Sequence, residues 1–385
     1  MNINLPYHQS WFDDDEINEV VKTLKSGWLT TGPRTKQFED DFKKYIGCDY
    51  AIGLNSCTAA LHLALAVRRF EPGDEVITTT MTFPATMNVM IHERLNPIFV
   101  DVEPGTLTMD ANRIEEKITS RTRAIVPVHF AGHPCDMDPI MDLAKTYKLT
   151  VIEDAAHALE AEYKGQKIGN LGNPTAFSFY ANKNITTGEG GMLTTNDKSL
   201  DETVRILRLQ GLSRDAWKRY GDAGFVHWEL QLPGFKYNMA DINAALGIHQ
   251  LKKVHRFLKT RRKYASIYDE AFRAIPEIEI LKTRDYAKSS CHLYIIALRL
   301  EQLSITRDAF IKEIQSAGIG VAVHYHALHL QPFYKKEFHS RLETYPIATS
   351  YSKRVLSLPL YPRMSVQDVE HVIDVVTDIV SHHRR

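Results

Sequence analysis

The chain has 385 residues, and its 47 Lys+Arg balance 47 Asp+Glu, so the formal charge is zero. Hydrophobic residues make up 44% and charged ones 24%, an ordinary globular composition at a length suited to two domains. A balanced charge excludes a global field for nucleic acid or anionic membrane, and no apolar run approaches the ~20 residues that span a bilayer. The stretch from Met1 to Pro6 lacks the basic and apolar regions of a signal peptide. Cys48, Cys57, Cys135 and Cys291 are scattered without paired spacing, which predicts reduced thiols and a cytoplasmic protein.

Residues 13–25 have helical periodicity with acidic residues in the first turn, and Ser26-Gly27 stops the pattern. Trp28 lies in the loop that follows and reads first as a capping tryptophan, second as a ligand contact. A short strand at 51–54 runs into Ser56-Cys57-Thr58, which opens a helix at 59–69. Serine and threonine there are ordinary caps, yet a helix start also presents unpaired N–H groups suited to phosphate. A strand at 75–79 leads to Phe83 and another helix. Strands at 97–101 and 124–129 flank a helical stretch at 111–118. His129, His133 and Cys135 are close, but no fourth ligand is evident and Gly132-His133-Pro134 reads as a turn, so no metal is expected.

Residues 137–147 read as a crossover helix, and 150–154 as a strand ending in Glu153 and Asp154, with His157 one helical turn further on. Strands and helices alternate throughout this half, which predicts a parallel sheet with helices on both faces. Ligands of such sheets bind beyond the carboxyl ends of the strands, where Ser56, Phe83, His129, Asp154 and Lys183 all fall.

The stretch 176–191 organises the rest. A buried strand, 176–180, ends at Lys183, a glycine-punctuated turn follows, and 192–195 resumes an extended run. A lysine at such a corner can be desolvated, which lowers its pKa and frees the amine to attack a carbonyl. The alternative is a solvated lysine in a hairpin turn.

A helix at 199–212, an irregular aromatic stretch at 213–234 and a long helix at 241–275 come next. Lys252, Lys253, Arg256, Lys259, Arg261, Arg262 and Lys263 predict the solvated face of that helix rather than a nucleic-acid surface. Strands at 278–281 and 292–298, a helix at 306–317, a strand at 320–324 and helices near 345–355 and 366–380 complete the chain. The change of pattern places a domain boundary near residue 250: a large α/β domain, 1–250, and a small α+β domain, 251–385.

Five stretches in this order resemble the DegT/DnrJ/EryC1/StrS aminotransferases, the sugar-aminotransferase branch of the fold-type I pyridoxal-phosphate enzymes. They are Ser26-Gly-Trp-Leu-Thr-Thr-Gly-Pro33, Asn55-Ser-Cys-Thr-Ala-Ala60, Glu153-Asp-Ala-Ala-His157, Phe177-Ser-Phe179 with Lys183 and Gly188-Glu-Gly-Gly191, and Lys236-Tyr-Asn-Met239. The resemblance covers the whole chain and implies an α/β large domain with a mostly parallel central sheet. It implies pyridoxal 5'-phosphate carried on Lys183, with Asp154 holding the ring nitrogen protonated and Phe83 stacked on the ring. His157 would orient that carboxylate or sit near the ring hydroxyl. The phosphate would take the helix start at Cys57 and Thr58 and the hydroxyl of Ser178. Lys183 would also move the substrate proton.

Two departures stand out. Cys57 occupies a position where members commonly have Gly, and Lys236-Tyr237-Asn238 stands where many have Asn-Tyr-Arg. In the family that segment reaches the neighbouring subunit's cofactor phosphate, so the resemblance implies a homodimer with shared active sites, with either Lys236 or Asn238 making the contact.

The reading implied is transfer of an amino group from an amino acid, L-glutamate, to the keto carbon of a nucleotide-linked sugar. His324-Tyr-His326-Ala-Leu-His329 and the stretch 26–33 resemble the branch that aminates C4, as in 4-amino-4-deoxyarabinose formation; C3-aminating members are the alternative. Trp28 and Tyr180 would be stacking surfaces, and His324, His326 and His329 polar groups at the substrate groove, or else ordinary surface histidines. Two other classes are weighed. A sugar dehydratase of this fold replaces the cofactor-carrying lysine with histidine, against Lys183. A non-catalytic regulator binding the cofactor would carry a DNA-binding domain, for which there is no room before Ser56.

Overall fold

The computed structural model describes residues 3–212, 229–338 and 344–385. Helix α1 (Asp14–Ser26) starts at a capping box in which Asp13 and Glu16 satisfy each other's backbone amides, and it stops at Gly27 with φ +73°. Helix α2 (Pro33–Ile46), not foreseen in the sequence, follows. Strand β1 (Tyr50–Leu54) feeds α3 (Cys57–Ala66), and β2 (Glu75–Thr79) feeds α4 (Pro84–His92). Then come β3 (Asn96–Val100), β4 (Thr122–Val126), α5 (Met137–Tyr147) and the two halves of one strand, β5 (Thr150–Val151) and β6 (Glu153–Asp154). A hairpin of β7 (Glu162–Tyr163) and β8 (Gln166–Lys167) precedes β9 (Thr175–Ser178), β10 (Gly191–Thr195) and α6 (Lys198–Leu207). The long α7 (Asp241–Arg273) leads to β11 (Ile278–Ile280), β12 (Ala287–Lys288), β13 (Tyr294–Leu298) and α8 (Arg307–Ser316). The chain closes with α9 (Pro332–Glu337), α10 (Pro346–Arg354), β14 (Val355–Leu358) and α11 (Val366–His383).

Strand order is β1-β10-β9-β6 and β5-β4-β2-β3, and since β5 and β6 are consecutive, the two ladders form one sheet. A parallel bridge from Val128 to Asp154 closes the join. Every pairing is parallel except those of β10, which runs antiparallel to β1 and β9. Side chains of alternate parity explain why both faces are covered. Ala51, Ile77, Ile125, Val151, Phe177 and Met192 pack with α2, α5 and α7 on one side. Ile52, Val76, Val126, Ile152, Ala176 and Leu193 pack with α3, α4 and α6 on the other. Gly247 lets α7 close on α2, because a β-carbon there would lie 2.6 Å from the Phe38 ring.

A second core is built from Tyr264, Tyr268 and Phe272 of α7, the antiparallel sheet β11-β13-β14, α8 and α11. No helix of the described residues is long and apolar enough to cross a membrane.

Several expectations are corrected. Residues 111–118 form two short 3-10 turns, Ala111–Arg113 and Glu115–Lys117, joined at Ile114 and ended where Ile118 turns extended. Residues 320–324 are not a strand: only Ala322 bridges, to Ser357, and the sheet position belongs to β14. The basic run on α7 is not a uniformly solvated face. Lys253 pairs with Asp13 and Glu16, Arg256 lies 4.8 Å over the Trp11 ring, and Arg261 is 1% exposed with its guanidinium on Leu360 O at 2.7 Å. α1 packs across α7 and turns part of that face inward. Of the irregular stretch 213–234, residues 213–228 lie outside the described residues.

Candidate active site

The carboxyl ends of β1, β2, β6 and β9 meet at one edge of the sheet. Asp154 ends β6 and is buried; its Oδ2 accepts from Thr86 Oγ1 at 2.8 Å and its Oδ1 from Ala156 N at 3.1 Å. Burial pushes its carboxyl up, against the opposing pull of Thr86, Ala156 and the Lys183 charge. A buried carboxylate with two donors and no bonded cation is an acceptor for one.

Lys183 sits in the turn after β9, half-buried, with its N–H on Tyr180 O at 3.0 Å. Burial lowers its amine to about 8, while Cys57 and Asp154 pull the other way. The desolvated lysine expected from the sequence is thus present. Cys57 opens α3 with its Sγ on Ala176 O at 3.5 Å, and burial holds the thiol protonated, well above its ordinary value. Ser56 caps the helix by accepting from Ala59 N at 3.1 Å. The amides of Cys57 and Thr58 precede any intrahelical acceptor and remain donors for an anion. Gly191 is required here: a β-carbon would lie 2.4 Å from Ser56 C and 2.5 Å from Cys57 N. Its partner across β9 is Ser178, whose hydroxyl accepts from Tyr180 N at 3.3 Å.

Phe83 is 60% exposed at the start of α4, its ring 6.2 Å from Tyr325. An apolar ring left bare at the sheet edge that carries a buried carboxylate and a desolvated lysine fits a flat aromatic ligand. Tyr180 is 48% exposed. His157 does not orient the Asp154 carboxylate. Its Nδ1 accepts from Ala131 N at 3.3 Å and its Nε2 meets Tyr325 Oη at 3.1 Å, so both nitrogens are engaged elsewhere. Burial, with Lys183 and His324 nearby, keeps it neutral.

The histidine-rich stretch divides. His324 is half-buried, with Nδ1 on Ser357 Oγ at 2.8 Å and its ring 6.4 Å from His157; burial lowers it to about 3. His326 is exposed, 3.5 Å from Ser352 Oγ. His329 is corrected as a groove residue: it is fully buried, with Nε2 on Thr349 Oγ1 at 2.8 Å and its ring 4.9 Å from Tyr345. The apolar run of Ala327 and Leu328 turns it inward.

Trp28 folds onto its own loop, donating to Thr31 O at 3.1 Å and filling the space above Gly32. Asn238 donates to Thr31 Oγ1 at 2.6 Å, and Thr31 Oγ1 to Met239 O. Asp241 accepts from the amides of Gly32, Arg34 and Thr35, capping α2 from α7. Within the chain the segment 236–239 therefore runs beside the 28–33 loop, and Asn55 ties it to the Ser56 corner through Tyr237 O and Lys236 O. Lys236 is exposed. His129 and His133 spend their nitrogens on protein groups: Glu153 and Cys135 N for the first, Pro134 O and Arg284 N for the second.

Residues the sequence reading passed over complete the site. Thr86 and Tyr325 lie inside stretches it singled out, and Asn184 directly follows Lys183. His292, 4.5 Å from the His157 ring, heads the expected strand 292–298. A polar residue beginning an apolar strand is the signal that marks it.

A parallel sheet crowned by a desolvated lysine, a buried carboxylate and a free helix start defines the fold-type I class of transferases. The chain belongs to the DegT/DnrJ/EryC1/StrS aminotransferase family, whose model matches residues 11–377. It is 45% identical over 377 residues to the spore coat polysaccharide biosynthesis protein SpsC of Bacillus subtilis, covering 98% of this chain and 97% of that one. It is 38% identical over 383 residues to the UDP-4-amino-4-deoxy-L-arabinose–oxoglutarate aminotransferase of Shewanella sediminis, covering 98% of each. Among solved structures, the putative sugar aminotransferase Spr1654 of Streptococcus pneumoniae in its PMP form superposes with TM-score 0.91 at 34% identity, over 98% of this chain and 100% of that one. The same protein in its PLP form gives 0.90 at 33%, over 99% of each chain. Pyridoxal 5'-phosphate is the family's cofactor, and the residues of this site fit it.

Proposed function

We propose that this chain transfers the amino group of L-glutamate to the keto carbon, C4, of a nucleotide-linked sugar, with pyridoxal phosphate held by Lys183, Asp154, Phe83, Ser178 and the amides of Cys57 and Thr58. The observation that carries the reading is the placement, at one edge of the sheet, of Asp154, buried with both carboxylate oxygens accepting hydrogen bonds, and of Lys183, whose amine burial lowers to about 8. When bound, the cofactor supplies an electron sink for the α-carbon of the amino donor. Asp154, oriented by Thr86 and Ala156 N, would hold a proton on the ring nitrogen. Phe83 would stack on the ring, and the α3 start would receive the phosphate. Lys183 Nζ, free of its proton above about pH 8, would take a proton from the donor's α-carbon in the first half-reaction and would deliver one to the former keto carbon of the sugar in the second.

The Shewanella relative, named for a UDP-linked 4-amino sugar and oxoglutarate, supports the nucleotide sugar, the C4 position and the glutamate donor. The spore coat polysaccharide relative supports a role in surface polysaccharide synthesis. His324 and His326 would face the sugar nucleotide, with Tyr180 and Trp28 at the rim. His157 and Tyr325, bonded to each other, would back the cofactor pocket.

A homodimer with shared sites, in which Lys236 or Asn238 reaches the neighbouring phosphate, belongs to the same proposal. Its support is the exposed stripe Ile17, Val21 and Leu24 on α1, apolar at helical spacing and without cover in a single chain. A two-domain division is supported by the change of core along α7, which falls between Phe257 and Tyr264, past the expected boundary near residue 250, with Leu5 packed in the second core. Four unpaired cysteines support a cytoplasmic location. Replacing Lys183 with Ala tests the reading: the lysine-bound cofactor absorbance and all turnover should vanish while the fold persists. Full activity in that variant contradicts it.

A further inference from the structure

Asn184, next to Lys183, is buried and has a saturated side chain. Its Nδ2 donates to Ser290 O at 3.1 Å and Leu159 O at 3.3 Å, and its Oδ1 faces His292 Nδ1 at 2.9 Å. Two carbonyl acceptors fix which end of the amide is which, so Oδ1 is the acceptor and His292 carries its proton on Nδ1. Ser290 in turn donates from Oγ to His157 O at 2.6 Å and from its amide to Gly132 O at 3.0 Å. The segment leading into β13 is therefore stapled both to the Lys183 turn and to the His157 loop. His292 backs the His157 ring at 4.5 Å. Burying a histidine and an asparagine is costly unless each is bonded, and an apolar pair would fill the same space.

We propose that Asn184 and His292 are a positioning pair that holds the Lys183 turn in its desolvated place, tying the lysine to the leading strand of the second core. The proposal rests on Lys183 being the cofactor-carrying lysine. The turn is closed within itself by Lys183 N on Tyr180 O and by Thr187 N and Thr186 Oγ1 on Phe179 O, and Ser10 Oγ holds Ala181 O on its near side; Asn184 is the anchor that ties it to the segment leading into β13. If the anchor is lost, the turn relaxes toward solvent and the amine regains hydration, which raises its pKa.

The groups facing Lys183 do not obscure this titration. Cys57 from α3 is held protonated by burial, and Asp154 from β6 is the one carboxylate that acts on the amine among the described residues. His157, His292, His324 and His8 are all pushed below their ordinary range by burial, so none titrates near pH 8.

The test uses cofactor-free protein, pulse-acylated with acetic anhydride from about pH 6 to about pH 10.5, with Lys183 followed by peptide mapping. The wild-type midpoint is expected at about 8. In Asn184→Ala and His292→Leu it should rise by about one unit or more. In His292→Asn it should stay, because the asparagine amide N–H can occupy the place of imidazole Nδ1. Near-ultraviolet circular dichroism checks that each variant is folded. An unmoved midpoint in folded Asn184→Ala and His292→Leu overturns the proposal, as does an equal rise in His292→Asn. Failure of both Asn184→Ala and His292→Leu to fold would assign the cluster to folding, which also overturns it. The readout needs neither cofactor nor substrate, so failure of the aminotransferase reading would appear in turnover and leave this titration interpretable.

Discussion

Thr86 Oγ1 donates to Asp154 Oδ2 at 2.8 Å, joining the first turn of α4 to the end of β6. The bond occupies one carboxylate oxygen and Ala156 N the other, so the carboxylate is aimed by a short, buried threonine side chain and by a backbone amide just past β6. Thr86→Val keeps the shape and removes a charge-assisted bond worth about 1.5–3 kcal/mol, which predicts a fall in kcat of about tenfold to a hundredfold. Asp154→Asn removes the charge itself. Loss of a partner in a buried pair is worth about 3–5 kcal/mol, so the rate should drop about a thousandfold with the cofactor still bound. Steady-state kinetics of both variants check the order; an Asp154→Asn enzyme within tenfold of wild type would reduce that residue to a strand-end cap.

Lys183 sets a pH dependence for loading. Burial holds its amine at about 8, below the ordinary lysine range. Above that value the amine is free to bond the cofactor aldehyde, and below it the proton blocks attack. The rate at which cofactor-free protein takes up pyridoxal phosphate should therefore rise through pH 8 and level off. A midpoint near 10 would mean the lysine is solvated.

His329 should act on stability, not on catalysis. Burial lowers it to about 4, so it is neutral in the folded chain. Between about pH 6.5 and pH 4 the unfolded chain takes the proton first, so the wild type loses stability as pH falls through that window. His329→Leu should keep kcat and KM within about twofold, and its melting temperature relative to wild type should improve on acidification. A large rise in KM for the sugar substrate would restore His329 to the groove.

Glu39 anchors the start of the sheet edge. It accepts from Arg208 at 2.6 Å, Arg205 at 2.7 Å and Gly53 N at 2.8 Å. Burial alone would raise its carboxyl, but the Coulomb pull of Arg208 and Arg205 outweighs this and holds it below the usual carboxylate range. Its contribution is fully present above that range and is lost as pH falls through the depressed value. Glu39→Gln should cost about 3–5 kcal/mol at pH 7, with the gap to wild type closing in acid. Denaturant unfolding at both pH values measures it.

Much of this was legible in the chain. β2 and α5 match their expected bounds because Glu75–Thr79 and Met137–Tyr147 are each framed by turn residues and carry an unbroken period. The placement of Ser56, Asp154 and Lys183 at one edge follows from strand ends alone. What escaped depended on contacts distant in sequence. Asp241 caps α2 from 206 residues away, so nothing local announced that helix. β14 lay hidden behind α10, since Val355–Leu358 is extended only by pairing with β13. His329 shares a histidine-rich stretch with His324, and only packing against Thr349 and Tyr345 separates their fates. Arg261 sat in a charged run, yet α7 turns it to Leu360 O.

The dimer is tested by sedimentation equilibrium at assay concentration. The expected species is a dimer, and Lys236→Ala or Asn238→Ala should weaken retention of the cofactor phosphate. A fully active monomer would remove the shared site.

The central claim is tested most directly by the two half-reactions, followed through the cofactor spectrum of purified protein. L-Glutamate should convert the bound cofactor to its amine form, and a 4-keto nucleotide sugar should restore the aldehyde. The free keto sugar should do so far less efficiently, because the binding energy of the nucleotide is lost. Restoration by pyruvate as efficiently as by the nucleotide sugar would contradict the account and make this chain a transaminase of small keto acids.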